Sequence, residues 1–170
     1  MTVDKGITSP LGGRLTIREA QRRDVGVVSD LWQEMMDYHS AYDGRFRFTG
    51  GVRRELERHH QESLRSKAAR IFVAEAEGRL VGYILGEIHE RKPIYPAGRY
   101  GFISDISVTA AWRRRGVGRR LVEKLDGWFR FECVTSVELF VLEANPVSNA
   151  FWESMGFGSY LRLVRRDMKS

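Results

Sequence analysis

Cysteine is nearly absent from this chain. Cys133 is the only one in 170 residues, so no intramolecular disulfide can form and a cysteine-based metal cluster is excluded. Long apolar runs are missing too: none approaches the roughly 18 residues that a membrane span needs, so no membrane partner is expected. The opening MTVDKGITSPLGG lacks the apolar stretch of a secretory leader. Histidines are few (His39, His59, His60 and His89) and keep no ligand spacing. His59 and His60, adjacent on a charged helical stretch, point in different directions, so no metal is expected. Lysine is scarce: of 28 basic residues five are Lys and the rest Arg. Neither a P-loop nor a nucleophile elbow occurs. The simplest reading is a soluble, cytoplasmic protein.

What is present is enough apolar material for a core, with 42% hydrophobic and 11% aromatic residues. Net charge is +6 and the sequence pI about 9.8. Arginine suits planar recognition of phosphate and carboxylate better than lysine does. Such a balance admits nucleic acid, an anionic membrane or a phosphorylated ligand. It equally admits arginines spread over solvated faces, and composition does not separate these.

Periodicity orders the elements. Residues 1–13 read as a loose tail, and residues 14–170 as one domain with no internal repeat or linker. Residues 14–18 (RLTIR) alternate as a short strand. Asp24 is placed to cap a helix whose apolar face is Val27, Val28, Leu31, Met35 and Tyr38. A loop over residues 39–51 and a charged, exposed helix over residues 52–66 follow. Residues 70–76 and 79–90 form a hairpin around Glu77-Gly78. Residues 100–109 are a strand and 117–131 an amphipathic helix. Residues 137–142 are a strand, 147–155 a short helix started near Pro146, and 158–166 a last strand. The order predicts one α/β domain with a mixed sheet.

The most informative stretch joins the strand ending at Ser107-Val108 to the helix at Val117, through Arg113-Arg114-Arg115-Gly116-Val117-Gly118-Arg119. A glycine-bearing turn opening a helix presents free backbone N–H groups where the dipole also favours anions. Gly116 and Gly118 allow a bulky phosphate to approach the backbone. From physics alone this is a pyrophosphate site; its plainer alternative is a solvated arginine run at a helix start.

Arg113-x-x-Gly116-x-Gly118 resembles the acetyl-CoA motif of the GNAT acetyltransferase superfamily. Asn145-Pro146-Val147-Ser148-Asn149-Ala150-Phe151-Trp152-Glu153-Ser154-Met155-Gly156-Phe157 is similar to that family's second signature. The resemblance spans residues 15–166. It implies a mixed central sheet flanked by helices, in which two parallel strands, here residues 100–108 and 137–142, splay to form the acetyl-CoA cleft. It further implies that backbone at Ile106 and Val108 holds the acetyl end, with Ser107 between them counted among the cofactor-binding residues, and that residues 113–119 hold the pyrophosphate. Asn145 and Ser148 would meet the pantetheine, and Trp152 would lie near the thiol.

The same resemblance implies direct acetyl transfer, in a ternary complex, to an amine of a small molecule or protein. An ammonium acceptor must lose a proton, since a free alkyl amine titrates near pH 10.4. Asp105 and Glu87 are the candidate bases. Strict alternation groups Asp105 with Ile103 and Ser107, opposite Ser104 and Ile106. Many relatives carry a tyrosine where this chain has Trp152, and indole is no useful proton donor. Residues 38–48 mix aromatics with both charge signs and are placed either to line an acceptor pocket or to pack as a loop. Two other readings stay open: a catalytically degenerate member that binds CoA, and a nucleic-acid-binding module using residues 113–120. Against the latter, no aromatic-interleaved RNA motif or helix-turn-helix is visible. Dimers are common among similar proteins, so a homodimer is an expectation.

Overall fold

The computed structural model describes residues 15–48, 51–91, 94 and 98–168. The expected tail at residues 1–13 lies outside them, as does most of the stretch at residues 92–98 that its two prolines mark as an expected loop. The chain divides into two compact units, one through Phe140 and one from Val141.

The first unit is a five-stranded sheet in sequential order. Strand β1 (Thr16–Glu19) pairs antiparallel with β2 (Ala69–Ala76), β2 with β3 (Arg79–Glu90), and β3 with β4 (Arg99–Val108). Only β5 (Val137–Leu139) runs parallel to its neighbour β4. The β2–β3 hairpin turns on Glu77 and Gly78, both at positive φ (53° and 73°). That is the geometry a two-residue hairpin needs to match strand twist.

Helices α1 (Val25–Ser40) and α2 (Val52–Arg65) cover one face, and α3 (Val117–Phe131) covers the other. On the first face Val28 and Leu31 pack with Ile71, Val73, Tyr83 and Leu85 into one buried cluster. On the second, α3 buries Val117, Leu121, Val122, Leu125, Trp128 and Phe129, its apolar stripe at helical spacing. A fully buried side chain of this size contributes about 1.5–3 kcal/mol, so the two faces hold the sheet between two apolar layers. A Cβ at Gly86 would collide with Leu125 and one at Gly101 with Phe129, which fixes these positions on the α3 face. A Cβ at Gly82 would stand 2.7 Å from the Ser107 carbonyl oxygen, so glycine there is what lets β3 and β4 approach.

Asp24 departs from its expected role. Its side chain does not cap α1. It accepts from the Gln21 N–H at 2.7 Å and takes both ends of the Arg18 guanidinium at 2.7 and 3.1 Å. The Arg18 guanidinium holds this carboxyl below the usual carboxylate range.

The second unit contains α4 (Pro146–Ser154). Two expected strands change here. The strand expected over residues 137–142 stops at Leu139, and residues 158–166 form no strand, with Tyr160, Leu161, Leu163 and Val164 exposed. Alternation supplies a period, but a strand exists only where a neighbour takes its backbone hydrogen bonds.

Candidate active site

The site is built along β4. Its pairing with β5 covers Gly101↔Val137, Phe102↔Glu138 and Ile103↔Leu139 and goes no further. Strand β4 runs on to Val108, so the edge from Ser104 to Val108 has no strand partner on the β5 side among the described residues. The Thr109 N–H donates to Val81 C=O at 2.9 Å. Antiparallel pairs alternate every two residues, so Ser107 turns its backbone to β3 while Ile106 and Val108 turn theirs to the open edge. Ile106 and Val108 are the two backbone positions the family resemblance implies; at this edge Ile106 offers its backbone and Val108 its N–H, the Val108 carbonyl accepting from Arg113 Nε. Ser107 instead uses its buried hydroxyl, which donates to the Leu31 carbonyl at 2.9 Å and ties β4 to α1.

A bulge shapes the middle of the strand. Leu85 opposes Asp105, but the next residue, Gly86, opposes Ile103, so Ser104 is an extra residue on β4. This overturns strict alternation. Ile103, opposite Gly86, faces α3. Asp105 faces α1 and α2 together with Ser107, and Ser104 joins it: the Ser104 hydroxyl donates to Glu87 Oε2 at 2.8 Å. The bulge therefore gathers Asp105, Ser104 and Glu87 on one face.

Asp105 is half-buried, and burial pushes its pKa up to about 6. The nearby Glu87 charge adds to that rise, while His59 and a hydrogen bond from Trp32 oppose it. Asp105 is thus ionised at neutral pH yet more basic than an ordinary carboxylate, which suits a general base. Glu87 also lies 3.5 Å from His89 Nε2. Next to it runs an aromatic strip: His89 stacks on Tyr100 at 5.5 Å, Phe102 meets His89 at 5.9 Å, and Phe140 meets Phe102 at 5.3 Å.

At the far end of β4 the chain turns through Ala110–Trp112 into α3. Gly116 is the residue before the helix, at φ 79°, and no side chain caps the helix. Arg114 also has positive φ, 62°. The first intrahelical bond is Arg120 N–H to Gly116 C=O, so the N–H groups of Val117, Gly118 and Arg119 precede it as helix-start donors. The three arginines before Gly116 differ in use. Arg113 is committed to the fold: its Nε donates to the Val108 carbonyl at 2.9 Å, its guanidinium lies 4.9 Å from the Tyr38 ring, and it sits 3.5 Å from Glu34. Arg115 lies over Trp112 at 5.3 Å. Arg114 is exposed on the turn.

In the second unit Asn145 is buried, and its Oδ1 accepts from the Ser148 N–H at 3.1 Å. It is the N-cap of α4, which explains its place in the sequence signature without any ligand. Trp152 is buried between Phe151 and Phe157, each 5.0 Å away.

Sequence reasoning missed Trp32, His60 and Tyr83. Trp32 reaches Asp105 from α1, and no sequence spacing links positions 32 and 105. His60 is fully buried, with Ser29 Oγ 3.0 Å from its Nδ1. Burial holds its pKa down to about 4. The signal was a histidine in register with Leu56 and Leu64 on α2. In the segment at residues 38–48, which begins in the last turn of α1, the Tyr38 and Tyr42 hydroxyls bond at 2.8 Å, and Phe46 and Phe48 pack on His39 and Trp32. Among the described residues no group of His, Cys, Asp and Glu is arranged to hold a metal, and no helix is long and apolar enough to cross a membrane.

The model of the acetyltransferase (GNAT) family matches residues 29–157. No curated protein sequence matches the chain. A Bacillus halodurans protein superposes with a TM-score of 0.82 at 21% identity, over 91% of this chain and 99% of that one. A protein of Clostridium acetobutylicum described as a predicted acetyltransferase, solved with acetyl-CoA, gives 0.75 at 14% identity, over 90% and 96%. An aminoglycoside acetyltransferase from an uncultured soil metagenomic sample, solved with trehalose, gives 0.67 at 18% identity, over 92% and 96%. At these identities the likenesses concern the fold, and the family model covers both the bulged β4 strand and the Gly116 turn: the chain belongs to the GNAT acetyltransferase family.

Proposed function

We propose that the protein is an N-acetyltransferase that moves an acetyl group from acetyl-CoA directly to a primary amine. The observation that carries this reading is the open edge of β4. Pairing with β5 stops at Ile103 while β4 continues to Val108 and then into the Gly116 turn. An extended pantetheine arm fits such an edge as a missing strand, with Ile106 and Val108 offering backbone partners. The helix-start N–H groups of Val117, Gly118 and Arg119, with Arg114 on the turn, suit the pyrophosphate.

Asp105 then takes the proton of the acceptor ammonium, directly or through a water, as the nitrogen attacks the acetyl carbonyl. Backbone N–H at the open edge stabilises the oxyanion. The collapse expels the CoA thiolate, a good leaving group whose reference pKa, near 8.5 for a cysteine side chain, is far below that of an amine. No protein acid is required for that departure. Glu87 and the aromatic strip of His89, Tyr100 and Phe102 suit a cationic amine carrying an apolar or ring-shaped body. The acetyl-CoA-bound and aminoglycoside-modifying neighbours support both halves of this reading.

Calorimetry with acetyl-CoA, followed by a panel of polyamines, aminoglycosides, amino acids and peptides with detection of released CoA, tests it. Absence of acetyl-CoA binding by the intact protein overturns it. Binding without turnover of any amine leaves a CoA-binding protein instead.

A further inference from the structure

Tyr83 and His60 are both fully buried, and neither Tyr83 Oη nor His60 Nε2 has a hydrogen-bond partner among the described residues. Leaving such a group unpaired costs about 1–3 kcal/mol, and buried polar atoms in folded proteins are nearly always satisfied, by protein or by ordered water. The two rings meet edge-on with centroids 6.0 Å apart, so the orphaned atoms belong to one neighbourhood. Trp128 Nε1, the other such atom, belongs to α3 on the opposite face of the sheet.

A third polar group completes that neighbourhood. Tyr83 opposes Ser107 and Leu85 opposes Asp105. Tyr83 and Asp105 are therefore diagonal neighbours on the α1/α2 face, within reach of a long aromatic side chain. Burial, with the Asp105 charge adding to it, pushes the Tyr83 phenol further from ionisation, so Tyr83 remains a donor. His60 is neutral, because burial disfavours its charged form. Ser29 Oγ and His60 Nδ1 are 3.0 Å apart; in the tautomer where the hydroxyl is the donor, the single ring proton sits on Nε2. Two buried donors thus lack a partner among the described residues, and a carboxylate acceptor is the diagonal neighbour of one of them. A buried water typically makes about three hydrogen bonds to otherwise unsatisfied groups, and it can accept two while donating to a carboxylate.

We infer that one internal water, accepting from Tyr83 Oη and His60 Nε2 and donating to the Asp105 carboxylate, sits beneath the base and makes Tyr83 and His60 its positioning residues. The other groups facing Asp105 are Trp32 from α1, His59 from α2 and Glu87 from β3. Those facing His60 are Ser29, His59 and Tyr83. The water favours the ionised carboxylate, offsetting part of the cost of its burial, and keeps the carboxylate aimed at the acceptor. That functional consequence rests on the reading of Asp105 as the base; the water site itself does not.

The test needs no acceptor. The Asp105 side-chain carbon is titrated by 13C NMR in aspartate-labelled protein, with Asp105→Asn identifying the resonance. Its midpoint is expected near 6. Tyr83→Phe keeps the buried ring and removes the donor, and should raise the midpoint by about one pH unit. His60→Leu should raise it too. His60→Gln, which restores an N–H at similar reach, should return it toward the wild-type value. Tyr83→Phe with His60→Leu should shift it by less than the two single shifts combined, because both act through one water. An unchanged midpoint in folded Tyr83→Phe overturns the inference. So does a crystal structure of the wild-type protein that resolves ordered water and shows none bonded to all three atoms. The base reading fails separately: if Asp105→Asn turns over normally, Asp105 is not the base, and the titration result still stands.

Discussion

The two ends of the proposed site follow opposite electrostatic rules. At the Gly116 turn the groups offered to an anion are backbone N–H donors and exposed guanidinium, in contact with water. At the β4 bulge a carboxylate is drawn out of water, takes a hydrogen bond from Trp32 and feels the charge of Glu87. An exposed cationic turn provides attraction that salt screens. A desolvated carboxylate provides basicity, at a cost in stability, that salt leaves nearly untouched. Binding and chemistry are thus separable by residue, and substitutions at one end should leave the other intact.

The sharpest break in that comparison is Asp105→Asn. It should lower kcat by about 100-fold or more if general-base work is lost, with acetyl-CoA affinity unchanged by calorimetry. Loss of affinity together with rate would mean that the two ends are one structural unit. Gly118→Asp should do the reverse. A side chain and a like charge at the helix start should weaken acetyl-CoA binding by on the order of tenfold, about 1.4 kcal/mol. At saturating acetyl-CoA, kcat should hold. Raising salt should weaken wild-type binding without moving the acidic limb of the rate profile.

Stability against pH sharpens the contrast further. The folded pKa of Asp105, about 6, lies above its ordinary value of 3.8, so the native state binds more protons than the unfolded state between those values. The cost of burying the charge is absent at low pH and grows as pH rises toward 6. Asp105→Asn should therefore raise Tm at pH 7.5 and barely change it below pH 4. His60 has the opposite sign. Its folded pKa of about 4 lies below the ordinary 6.5, so stability is lost as pH falls through that window, and His60→Gln should flatten the loss. Calorimetric melts at three pH values check both.

A smaller effect is expected at Gly116, whose φ of 79° suits glycine. Gly116→Ala should cost about 1 kcal/mol in denaturant unfolding and reshape the turn, so acetyl-CoA affinity should fall modestly. The smallest is Trp152→Phe, which keeps a flat apolar ring and should change kcat less than twofold if the indole is only a wall. A rise of about 100-fold in Trp152→Tyr would show instead that a proton donor is needed there.

The parts of the site that lie contiguous in sequence were legible in it. Arg113, Gly116 and Gly118 announced a helix-start anion site because a turn is a local structure, governed by its own few residues. Asp105 and Glu87 were legible as carboxylates in strands. Their shared face was not, since alternation predicts faces only until a bulge inserts a residue, and the bulge at Ser104 depends on how β3 pairs with β4. Arg113 was read as part of the phosphate site, while its guanidinium is held by Val108, Tyr38 and Glu34. Those partners come from two other elements, so spacing along the chain cannot name them.

The sequence by itself determined the family, the order of helices and strands through β5, and the glycine turn. Each of these rests on periodicity and on conformations that one or two residues dictate. Only the tertiary structure decided where β4 parts from β5, that the alternating segment at residues 158–166 forms no strand, and that Trp32 and Tyr83 come to lie by Asp105. Strand pairing and desolvation are set by whatever lies across the sheet, and that is contributed by residues tens of positions away.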